Sequence, residues 1–122
     1  MGFGPLGSGG DSPQRWRSET RRIATMSRSL VERKLVEVSE RLKQLRAELS
    51  VTDEQFTHLT DAAEDARLRA LVSETPVADR EHREAQKHAG AMDRHRAEVR
   101  ARISQLEQRQ DELLDRLSAE RF

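Results

Sequence analysis

The chain reads as all-α: an antiparallel two-helix coiled-coil hairpin with a disordered N-terminal tail. Three observations point there. Apolar or small residues recur at alternating spacings of three and four along two long stretches. The two stretches mirror one another about a single point. That point carries a proline in the setting of a helix start.

The first stretch runs Val31, Leu35, Val38, Leu42, Leu45, Leu49, Thr52, Phe56, Leu59, Ala63, Ala66, Ala70. The second runs His82, Ala85, Ala89, Met92, Arg96, Val99, Ile103, Leu106, Gln110, Leu113, Leu117. Such alternation is the seam of two helices packed along each other. Read in opposite directions, the two lists pair. Leu35 meets Leu117, Val38 meets Leu113, Leu45 meets Leu106 and Leu49 meets Ile103. Thr52 meets Val99, Leu59 meets Met92, Ala63 meets Ala89 and Ala66 meets Ala85. Every pair is centred on Thr75-Pro76.

Taken in order, residues 1–25 read as a disordered or non-native extension. Met1 to Pro13 is rich in Gly, Ser and Pro and has no periodicity. The string Gly4-Pro5-Leu6-Gly7-Ser8 looks like the scar of a tag-cleavage site, and Met26 stands just ahead of the first clear helix start. The functional alternative is a short arm. Arg15, Arg17, Arg21 and Arg22 surround Trp16, the single tryptophan, and suit an acidic or phosphate surface.

Residues 26–122 form the hairpin. The first helix is expected from about Ser29 to about 72, because Ser29-Leu30-Val31-Glu32 is a capping box. A second box, Thr52-Asp53-Glu54-Gln55, would by itself split that helix. The seam passes through Leu49, Thr52 and Phe56 without a phase slip, so we read one continuous helix. The turn is expected at 73–76. Thr75 is a good N-cap, Pro76 suits the first helical position, and Asp79 and Glu81 place negative charge at the positive end of the new helix. Inside a continuous helix Pro76 would cost roughly 3 kcal/mol. The second helix is expected over about 76–120, matching the first in length, with Gly90 as a weak point.

Composition limits the function. Of 122 residues, 36% are charged and 34% hydrophobic, so one thin seam suits the chain better than a thick globular core. Lys plus Arg, 22, equals Asp plus Glu, 22, with the signs interspersed, which disfavours a nucleic-acid binder. The Arg94, Arg96, Arg100 and Arg102 cluster reads as a solvated face neutralised by Glu98 and Glu107. Without cysteine there is neither a disulfide framework nor a thiolate site. No apolar run is long enough for a membrane span, and the N-terminus has no signal-peptide core, so the expected location is cytoplasmic.

Candidate chemistry is sparse. Glu84 and His88 are four apart, but no His-Glu-x-x-His pattern accompanies them, and no metal or other cofactor is expected. Histidine titrates near about 6.5, so His82 at a seam position would make the tip sensitive to pH. The acids near the turn lack a pocket of their own, and no catalytic residue is assigned. What stands out is apolar residues off the seam: Leu68, Leu71 and Val72 near the tip, and Leu30, Val36 and Leu114 at the base. Such residues need another surface, either a protein partner at the tip or a second copy at the base. With Glu74, Asp79 and Glu81, the first three make up the expected partner-binding tip.

Two resemblances add to this reading. Ser73-Glu74, Ala78, Glu81 and the Ala85-x-Lys87 stretch resemble the tip of Gre-type transcript-cleavage factors. That likeness implies an acidic hairpin tip inserted into RNA polymerase, and the alternative function expected of the chain is a regulator that inserts its acidic tip into RNA polymerase or the ribosome. From Ser29 to about 117, the chain is similar to small uncharacterised coiled-coil hairpin proteins of actinobacteria. The stretches that carry this likeness include Leu30-Val31-Glu32-Arg33-Lys34-Leu35 and Gln110-Asp111-Glu112-Leu113-Leu114-Asp115-Arg116-Leu117. It implies a bacterial setting and no particular activity. The expected function is a non-enzymatic protein–protein interaction module.

Overall fold

The computed structural model describes the backbone of residues 13–120 and the side chains of residues 28–119. Helix α1 runs Pro13–Ser73 and helix α2 runs Pro76–Glu120. The two form an antiparallel hairpin, and no strand occurs among the described residues. Among those residues no helix is long and apolar enough to cross a membrane. The packing divides into two units, Met1–Val38 with Arg109–Phe122, and Ser39–Gln108.

In the first unit Val31 and Leu113 are buried, and Leu35, Val38, Gln110 and Leu117 are half-buried. In the second, Leu42, Leu45, Thr52, Ala66, Val99 and Ile103 are buried. Leu49, Phe56, Leu59, Ala63, Ala70, His82, Ala85, Ala89, Met92, Arg96 and Leu106 are half-buried there. Every described seam position therefore lies at least partly inside, as the alternating spacing requires. The contacts across the Ser39–Gln108 hairpin keep the expected register. The Arg96 guanidinium lies 4.6 Å from the centre of the Phe56 ring, and Arg46 reaches Glu107 at 3.9 Å.

The helix ends agree with the capping chemistry at the turn and differ from it at the N-terminus. The first helix begins at Pro13, not near Ser29, so the Ser29 box lies within a continuous helix. Residues 14–28 are mostly Arg, Glu, Gln, Ala and Ser, which tolerate helix, so a local cap signal does not have to end one. The helices are consequently unequal, 61 residues against 45. The side chains of the expected Trp16 arm, and residues 1–12 altogether, lie outside the described residues. The Thr52 box is likewise not a start. Its hydroxyl donates to the Glu48 carbonyl at 2.8 Å, one turn back, and the helix continues.

Arg96 occupies a seam position and keeps its charge there. Its Nε donates to Asp53 at 2.6 Å, its Nη1 to Asp93 at 3.3 Å, and the guanidinium plane covers Phe56. Arg100 also approaches Asp53, at 3.8 Å. The carboxylate that neutralises this cluster across the hairpin is Asp53, not Glu98, while Glu107 is taken by Arg46. A charged residue in a seam fixes register, because sliding by one turn would strand it.

Two substitutions test this account in urea or thermal melts. Arg96→Ala removes a charge-assisted hydrogen bond and a ring contact and should destabilise by about 1–2 kcal/mol. Gly90→Ala should stabilise by about 1 kcal/mol. A Cβ at Gly90 meets nothing nearer than the Arg94 Nη1 at 3.7 Å, an ordinary contact.

Candidate interaction surface

The turn is two residues long, Glu74 and Thr75, and each end is capped. Glu74 has a φ of 51°, the left-handed conformation that commonly closes a helix. Its N–H donates to the Ala70 carbonyl at 3.1 Å. Thr75 is the N-cap of α2. Its side-chain oxygen accepts from the Ala78 N–H at 3.2 Å, and its carbonyl accepts from the Asp79 N–H at 3.1 Å. Pro76 follows at the first helical position, where a missing N–H costs nothing. Asp79 lies in the first turn and pairs with Arg83 at 3.6 Å.

Behind this capped turn the core thins. In the Ser39–Gln108 unit the large buried side chains are Leu42, Leu45, Val99 and Ile103, whereas the buried residues nearest the turn are Ala66 and Ala78. At roughly 25 cal/mol per Å² of apolar surface, alanine pairs hold the end much less firmly than leucine pairs. Short side chains also leave the surface hollow. One hollow is lined by Leu59, Lys87, His88, Ala91, Met92 and His95. A second, lined by Leu59, Ala62, Glu81, Glu84, Ala85 and His88, shares Leu59 and His88 with it. A third lies on the turn, between Ala70, Glu74, Thr75, Pro76 and Asp79. Nε2 of His82 is buried with no hydrogen-bond partner among the described residues, a further local cost.

The sequence-expected tip residues are all outward. Leu68, Leu71 and Val72 lie on the face of α1 opposite the seam, and Val72 is 85% exposed. Glu74, Asp79 and Glu81 are exposed as well, Glu74 and Asp79 on the turn and Glu81 on the rim of the second hollow. At the base, Leu30, Val36 and Leu114 are exposed, the first two on α1 and the third on α2. Two large exposed residues escaped the sequence reading, Val51 and Val77. Both sit beside landmarks that drew attention away from them, Val51 before the seam residue Thr52 and Val77 after the turn proline.

The acids beside the apolar patch are not equivalent. Arg67 grips Glu64 with two hydrogen bonds, of 2.6 and 3.0 Å. That grip holds the Glu64 carboxyl below the ordinary glutamate range and raises Arg67 in turn. Asp61, about one turn before Glu64, and Asp65, the next residue after it, form no ion pair among the described residues. His95 pairs across the hairpin with Glu48 at 3.3 Å. No three metal-capable side chains come together among the described residues. Comparison with protein-family models, with curated proteins and with solved structures finds no match to this chain.

The turn can be tested by two substitutions with opposite signs. Glu74→Gly relieves a left-handed side chain and should raise stability by about 1 kcal/mol. Thr75→Ala removes the cap and should lower it by about 1 kcal/mol. Denaturant midpoints measure both.

Proposed function

We propose that this chain is a protein–protein interaction module without catalytic activity, and that it docks on a partner through the outward face of its hairpin tip. One observation carries the reading. Leu68, Leu71, Val72 and Val77 are all exposed within two turns of the chain reversal, in a chain of which 36% is charged. Single exposed leucines are ordinary, but a cluster on one short segment marks a contact surface. The capped turn presents that cluster in a defined position, and the free carboxylates of Asp61 and Asp65 border it. The proposed setting is the bacterial cytoplasm, following the likeness drawn from the sequence.

The test is a photo-crosslinkable amino acid at Leu71 of the full chain in its host, compared with the same chain carrying Val72→Glu and Leu68→Glu. Exposed positions of this kind should shift folding stability by no more than about 0.5 kcal/mol. Defined crosslinked partners that disappear in the substituted chain are expected. Identical crosslinks from both chains would remove the tip face from the account. Crosslinks lost only on Glu74→Ala with Asp79→Ala would transfer the role to the acidic turn.

A further inference from the structure

Near the tip, the outward face of α1 repeats one arrangement of positions in two chemistries. Asp61, Glu64 and Asp65 stand seven residues before Leu68, Leu71 and Val72. Seven residues are two helical turns, roughly 10 Å along the axis, so each acid shares a line of the helix surface with one apolar residue. All six are exposed, and all belong to the Ser39–Gln108 unit. Between Ala47 and Val72 the positions facing away from the seam add a fourth acid, Glu54, and one histidine, His58, but no lysine or arginine. Arg67 and Arg69 stand on the two flanks of this strip, and Arg67 is held by Glu64 at 2.6 Å.

We propose that this strip docks one amphipathic α-helix of a different protein. The partner helix lays an apolar triplet on Leu68, Leu71 and Val72 and a Lys/Arg triplet, one heptad away, on Asp61, Glu64 and Asp65. Both triplets of this chain follow the i, i+3, i+4 spacing of a single helical ridge, and together they span roughly 17 Å. A helix covers such a strip by setting a ridge of the same spacing alongside it. Contact of this kind takes Leu71 and Val72, 62% and 85% exposed, out of water. The acids choose among apolar helices, because a partner with acids at the facing positions is repelled. A second copy of this chain is a poor occupant. Two such strips laid parallel set acid against acid, and laid antiparallel they set acid against leucine or valine. The described part of α2 between Val77 and Leu114 exposes no large apolar side chain, so its Arg83, Lys87 and Arg94 come without a matching apolar triplet.

This inference rests on the reading of the chain as an interaction module, and it names the chemistry of the partner. The probe is a lactam-stapled helical peptide with a leucine triplet and a lysine triplet, each at i, i+3, i+4 and seven residues apart. It is made in both sequence orders, because a partner helix can run either way. The control has glutamate in place of lysine. Titrated with the full chain at low ionic strength, the lysine peptide in its better order should bind about tenfold tighter than the control. Asp61→Asn with Asp65→Asn should remove most of that preference. Asp111→Asn with Asp115→Asn, in the other packing unit, should leave it. Equal binding of the two peptides, or a preference that survives Asp61→Asn with Asp65→Asn, would overturn the proposal. In the host, crosslinks from Leu71 should be lost when the chain carries Asp61→Lys and Asp65→Lys. Crosslinks that persist there, yet vanish with Leu68→Glu and Val72→Glu, would leave the interaction surface standing and remove its basic partner. Crosslinks to a second copy of the chain would also remove it. A chain that crosslinks to nothing from Leu71 would end the interaction reading and this inference together.

Discussion

Two helices packed along each other can each bury one stripe and no more. That constraint governs nearly everything described. The stripe of α1 through Leu42, Leu45 and Thr52 and that of α2 through Val99 and Ile103 are inside. Every described outward position of α1 is exposed whatever its chemistry, because no third layer covers it among the described residues. Leu71 and Val72 are exposed for this reason and not because the core rejected them. In a larger domain they would be core residues, whereas here they become surface.

The same constraint sets how firmly the parts are held. A two-helix stripe is only as strong as the side chains within it. In the Ser39–Gln108 unit these shrink from leucine, valine and isoleucine to alanine toward the turn. The turn compensates by hydrogen bonding instead of burial. The Glu74 N–H, the Thr75 side-chain oxygen and the Asp79 N–H each satisfy a helix-end group. The result is a chain reversal with a defined backbone and little hydrophobic anchorage behind it, the combination from which locally mobile, partner-sensitive regions are drawn. Arg96 adds direction. With Asp53, Asp93 and Phe56 around it, a seam position that could have been apolar serves register.

Much of this was legible beforehand, and the part that was not has a physical cause. The turn residues, the seam on both helices and the continuity of α1 past Thr52 follow from one repeated spacing, which averages over many residues. The start of α1 was misjudged because Ser29 and Glu32 form a good local cap, and a local signal loses to a helix that can continue. Among the surface residues, Leu68, Leu71 and Val72 were recognisable as apolar residues off the stripe. Val51 and Val77 were equally so, and were hidden beside stronger landmarks. Ion-pair partners were the poorest guess. Glu107 takes Arg46, and Asp53 collects both Arg96 and Arg100. Long charged side chains reach several neighbours at nearly equal energy, so spacing alone does not choose among them.

By itself the amino-acid sequence determined that the chain is helical, where it reverses and which residues face inward. These are matters of periodicity and backbone preference, and both are written locally along the chain. Only the tertiary structure decided where α1 begins, which carboxylate holds Arg96, and that the Glu74 backbone turns left-handed to end the first helix. Those outcomes depend on groups that are distant in sequence but close in space, or on a local preference that a longer helix overrides.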